Sequence, residues 1–295
     1  MNMKILRATS RAVAISTALL WAGAVLANTP VDETRAVNPD ARITVQNLSG
    51  SVELKGWDQD QVHVTGTLGE NVEKLEIEGG GDSLRITVKY PKHSHNAKPT
   101  HLEVMLPRKA RAEVEAVSAD VRATGLEGSS LDLKSVSGDV FADAQTQDLN
   151  LHSVSGDVTF RGHAGRAELE TVSGDIGATG LGDEVRVKTV SGDAELSGLE
   201  NITRLEMQTV SGDLSVDIDS AKSPDIHVKS LSGEVKLMLP ASVSAQITAK
   251  TFSGDINSDF GQVGEDGKRL TATAGGGDGR VEVESFSGEV VIRRR

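Results

Sequence analysis

Val136-Ser137-Gly138-Asp139-Val140 recurs as Val154-Ser155-Gly156-Asp157-Val158, Val172-Ser173-Gly174-Asp175-Ile176, Val190-Ser191-Gly192-Asp193-Ala194 and Val210-Ser211-Gly212-Asp213-Leu214. Looser copies follow at Leu231-Ser232-Gly233-Glu234-Val235, Phe252-Ser253-Gly254-Asp255-Ile256 and Phe286-Ser287-Gly288-Glu289-Val290. Degenerate members precede them at Val117-Ser118-Ala119-Asp120-Val121 and Leu48-Ser49-Gly50-Ser51-Val52. From Gly138 to Gly254 the turn glycines are spaced 18, 18, 18, 20, 21 and 21 residues apart, and Gly288 follows after 34. A near-constant period of this length marks a repeat architecture.

Each unit alternates around its turn. Leu131, Leu133 and Ser135 precede Gly138 with Asp132 and Lys134 between them, and Val140 and Ala142 follow it with Phe141 between. Period-two alternation buries one strand face, and Ser-Gly-Asp is turn chemistry. A second corner recurs as Gly125-Leu126, Gly180-Leu181 and Gly198-Leu199. Two short strands cannot bury their own apolar face, but stacked copies can. The expected fold is therefore all-β: a parallel β-solenoid with two short strands per coil of 18–21 residues. A right-handed coil is the default from crossover sterics. An antiparallel sandwich would vary its hairpin turns, whereas here one turn recurs every second strand. Stacking also predicts an inward hydroxyl file at Ser135, Ser153, Thr171, Thr189, Thr209, Ser230, Thr251 and Ser285. A corner position could tuck Val136 and its equivalents inside as well.

Aromatic residues make up only 3% of the 295, which suits a narrow aliphatic core. Lys4, Arg7 and Arg11 followed by the apolar run 12–26 and Val25-Leu26-Ala27 read as a cleavable signal peptide over 1–27, with Ala22-Gly23-Ala24 a competing cleavage point. The run is shorter than the roughly 20 residues of a spanning helix. The expected destination is the periplasm, the cell surface or the medium, with no membrane span in the mature chain. Residues 28–40 read as a flexible lead. One β-solenoid domain then fills 41–295, with less regular coils and a cap over 41–115, regular coils over 116–295, and a Gly-rich loop over 261–279. There is no cysteine, so disulfides, thiolate sites and a cysteine nucleophile are excluded. Removing three basic residues leaves 28 Lys+Arg against 43 Asp+Glu, a formal charge of −15. Such a surface repels nucleic acid. The Arg293-Arg294-Arg295 tail reads as a solvated end that blocks edge pairing.

The tandem units, the opening Ile43-Thr44-Val45-Gln46-Asn47-Leu48-Ser49-Gly50-Ser51-Val52 and Gly56-Trp57-Asp58 resemble the bacterial putative-adhesin family of β-strand-repeat proteins, a domain of unknown function. The resemblance covers residues 40 to 295. It implies an exported or envelope-associated solenoid and supplies no catalytic residue.

Stacking would set Asp139, Asp157, Asp175, Asp193 and Asp213 one coil apart. Two readings compete: turn capping through backbone N–H groups, and a calcium ladder. Capping is favoured, because turn Asp is common for local reasons. Two adjacent carboxylates could also serve a glycosidase, but a repeated turn gives each the same surroundings and cannot split their roles. Gly275-Gly276-Gly277-Asp278-Gly279 occurs once and reads as a loop. His93, His95 and His101 lie in a loop-like stretch and read as solvated. The repeated serines have no nucleophile elbow and no regularly placed histidine. The sequence thus points to a non-enzymatic envelope scaffold without a cofactor, binding an envelope protein or a surface glycan. A periplasmic accessory in stress signalling and a polysaccharide-active β-helix are the alternatives.

Overall fold

A computed structural model describes residues 29–91 and 98–295. Eighteen β-strands form one large, mostly parallel sheet, and no helix occurs among the described residues. The expected signal peptide, His93 and His95 lie outside the described residues.

The strands stack in two files that share one core. In the first, Ala112 pairs with Leu131, Leu131 with Leu149, Leu149 with Ala167, Ala167 with Val185, Val185 with Leu205 and Leu205 with Ile226. In the second, Val121 pairs with Val140, then Val158, Ile176, Ala194, Leu214 and Val235 in turn. All these residues are buried. Parallel pairing places each side chain over its counterpart about 4.8 Å away, so aliphatic columns fill the interior. The largest fully buried side chain is Phe160.

Two strands per coil was expected, yet the second corner does not interrupt the strand. Val140–His152, Val158–Glu170 and Ile176–Lys188 each run through it. The corner is taken up by register shifts, as between Thr124 and Leu126 and between Leu196 and Leu199. Leu126, Leu181 and Leu199 are buried there, which anchors the bend to the core.

Spatial order departs from chain order at both ends. Ile226 and Val235 pair with Val281 and Val290 of the last coil, and Ile247 and Ile256 pair with that coil's other side. The final coil is thus inserted between its two predecessors. The amino-terminal end repeats the device: residues 42–55 lie between the coil carrying Leu84 and Leu102 and the coil carrying Ala112 and Val121. Each terminal coil gains two neighbours instead of one, which protects it from fraying.

Antiparallel strands close the stack. Thr29–Trp57 begins with a segment, Thr29 to Ala36, that pairs with Gln61–Leu68, so this part of the expected flexible lead is ordered by strand pairing. Gln61–Leu68 pairs in turn with Thr100–Pro107. At the other end Arg269–Ala274, inside the expected Gly-rich loop, pairs with Ala245–Ser253. Its alternate residues Leu270, Ala272 and Ala274 lie against the core, which outweighs the flanking glycines. The arginine tail is exposed at Arg294 and Arg295, as expected, but its side chains are engaged. Arg293 hydrogen-bonds Asn257 and Asp259 at 3.0 Å each, Arg294 lies 5.0 Å over the Phe260 ring, and Arg295 reaches Asp217 and Asp219.

Candidate apolar ridge and acidic ladder

The Ser-Gly-Asp turns stack in a column. A methyl group added at Gly156 would stand 2.3 Å from the Gly138 carbonyl oxygen, and one at Gly212 would stand 2.1 Å from that of Gly192. Gly174, Gly192, Gly233, Gly254 and Gly288 make the same close approach to a glycine carbonyl, while Gly138 approaches that of Ala119. In this column Gly288 lies between Gly233 and Gly254, as the inserted coil requires.

The hydroxyl file lines the inner side of the column, and all eight members are buried. Ser135 donates to the Ala119 carbonyl at 2.9 Å, Ser153 to Gly138 at 3.0 Å and Thr171 to Gly156 at 3.1 Å. Further along, the hydroxyls of Thr189, Thr209, Ser230 and Ser285 have no hydrogen-bond partner among the described residues.

Outside the column, the carboxylates form a relay. Asp139 Oδ1 accepts the backbone N–H of Asp157 at 3.0 Å, and Asp157, Asp175 and Asp193 accept those of the next acidic residue at 2.9, 2.9 and 2.8 Å. Asp213 accepts from Glu234 at 2.7 Å. Each aspartate therefore caps the neighbouring coil and not its own turn. The side chains are exposed, and no Lys, Arg or His of the described residues forms a salt bridge with any of them. Among the described residues no group of three or more His, Asp or Glu is placed to hold a metal ion. His101 instead shares a 2.8 Å hydrogen bond with Ser51. Residues 275–279 turn around Ser244, whose Oγ donates to Asp278 at 2.8 Å and accepts from Gly276 N–H at 2.9 Å.

Val136 and its equivalents are not tucked inside. Leu48, Val117, Val136, Val154, Val172, Val190, Val210, Leu231, Phe286 and Phe252 all point outward, from 36% exposed at Val154 to 69% at Phe252. The inward hydroxyl one position earlier decides this: side chains alternate across a strand, so the next residue must leave the core. The result is one continuous apolar ridge, ended by Phe252 and Phe286 stacked with centroids 4.9 Å apart. The signal was present in the sequence, since the residue before Ser-Gly is apolar in every copy.

A groove of about 620 Å³ runs beside the ridge, walled by Val172, Val190, Val210, Leu231 and Phe286 and by the hydroxyl residues Thr189, Thr209, Ser230 and Ser285. Its far wall carries self-paired charges, with Lys188 2.6 Å from Glu170 and Lys229 3.5 Å from Glu284. The Lys188 hydrogen bond holds the Glu170 carboxyl below the usual carboxylate range. Across the ridge lies the unpaired acidic ladder.

No helix among the described residues is long and apolar enough to cross a membrane. No curated protein matches the chain. Among solved structures, a putative adhesin from Bacteroides fragilis is 16% identical, with 90% of this chain and 97% of that chain covered and a TM-score of 0.49. A putative lipid binding protein from Parabacteroides distasonis is 17% identical over 90% and 96% of the two chains, TM-score 0.43. A putative cell adhesion protein from Clostridium sporogenes is 14% identical over 90% and 100%, TM-score 0.29. The model of one family, Toastrack DUF4097, matches residues 41–293, in keeping with the all-β stack and its repeated turn, and the chain belongs to that family.

Proposed function

We propose that this protein is a non-enzymatic, exported scaffold of the bacterial envelope that binds a partner along its turn edge, an adhesin-like role. The continuous outward file of aliphatic and aromatic side chains carries this reading. Soluble proteins rarely leave a long contiguous apolar strip uncovered, and such strips mark interaction sites. The regular coils suit a scaffold: each turn repeats one environment, which gives an extended contact surface and no differentiated acid–base pair. The amino-terminal leader read from the sequence supports delivery to the periplasm or beyond.

The test uses the chain lacking residues 1–27, immobilised and presented with solubilised envelope fractions. The comparison protein carries Val172→Ser, Val190→Ser and Val210→Ser, which change only outward side chains and leave the core columns intact. At least a tenfold loss of retained envelope material is expected for the variant. Equal retention by both proteins would overturn the reading.

A further inference from the structure

We infer that the ridge and its acidic border form a docking site for a cationic amphipathic α-helix. This rests on the ridge being a binding surface and adds the chemistry of what binds.

Area excludes an incidental patch. Ten exposed side chains at about 150–200 Å² per residue leave on the order of 800 Å² uncovered, close to one partner's share of a standard interface. The strip is long and slender: nine steps of about 4.8 Å give roughly 40 Å.

Backbone pairing excludes an added strand. The carbonyls of Val136, Val154, Val172 and Val190 already accept the N–H of the next coil's turn serine, each at 2.9 Å. The ridge therefore presents side chains and no free ladder edge. A helix offers one apolar row with a repeat of about 5.4 Å, nearer the 4.8 Å rung spacing than the roughly 6.8 Å side-chain repeat of an extended strand.

Charge sets the sign of the partner. Exposed Asp139, Asp157, Asp175, Asp193, Asp213 and Glu234 border one side with no salt-bridge partner among the described residues. The charges on the other side cancel among themselves. Two copies of this chain meeting ridge to ridge in antiparallel would set ladder against ladder, whereas a helix with lysines flanking its apolar row neutralises it.

The experiment titrates the chain lacking residues 1–27 with a labelled synthetic 18-residue peptide of leucine and lysine at helical spacing. Controls are a scrambled peptide of the same composition, one with glutamate for lysine and one with serine for lysine. The leucine–lysine peptide is expected to bind, to gain helicity on binding, and to weaken as salt rises. Val190→Ser with Val210→Ser and Leu231→Ser should weaken it at least tenfold. Asp175→Asn with Asp193→Asn and Asp213→Asn should weaken it at least fivefold and flatten the salt dependence, while each Asn Oδ1 still accepts the neighbouring N–H. Equal binding of the scrambled, glutamate or serine peptide would overturn the proposal, as would indifference to either variant. Sedimentation of the protein alone supplies a further arm: a dimer abolished by the ridge substitutions would assign the ridge to a second copy. Envelope retention that stays ridge-dependent while the peptide fails to bind would sink this inference and leave the scaffold reading standing.

Discussion

At the scale of single residues, glycine and hydroxyl positions carry opposite lessons. Gly212 has φ of 138°, and a Cβ added there would stand 2.1 Å from the Gly192 carbonyl oxygen. Gly212→Ala therefore strains its own backbone and pushes two coils apart, and should cost about 3 kcal/mol or more. For a chain of this size that lowers Tm by roughly 6–12 °C, readable by circular dichroism. The hydroxyl file divides. Ser153→Ala removes a made hydrogen bond and should cost about 1 kcal/mol, whereas Thr209→Val removes a hydroxyl that has no partner and should be neutral or mildly stabilising. Denaturant midpoints of the two variants would separate them, and equal losses would mean that Thr209 finds a partner in solution.

At the scale of the repeated element, the turn works as a relay from coil to coil. One oxygen of each aspartate from Asp139 to Asp213 is spent on the next coil's N–H. The relay stops at Glu234, where one more methylene displaces the carboxylate. Calcium needs six to eight oxygens around one point, and this single-file geometry does not converge. Millimolar calcium is expected to leave Tm unchanged within a degree or two, and a clear rise would restore the cation reading. Stacking itself was legible in the glycine spacing, because a turn with one fixed residue pattern must fit its own copy. The outward direction of the ridge was equally implied by alternation. The corner left the direction of Val136 open, and the buried hydroxyl settles it by taking the inward position.

At the scale of the whole molecule, the inserted coils govern how the ends hold together. The last coil pairs through Val281 with both Ile226 and Ile247, and through Val290 with both Val235 and Ile256. Removing residues 279–295 should therefore unseat residues 245–258, which pair with the stack only through that coil, while 225–239 stay paired with 204–217. Hydrogen exchange should show lost protection across 245–258 in the truncated chain; retained protection there would make the final coil a mere addition. The sequence by itself determined the stacked coils, the aliphatic core columns and the file of turns, because these follow from local alternation and a short period. Only the tertiary structure decided which coil lies next to which at the two ends, and that residues 29–36 and 269–274 serve as closing strands. Every coil offers nearly the same edge to its neighbours, so pairing order is set by which arrangement covers the terminal core and satisfies both edges, a property of the assembled stack and not of any one segment.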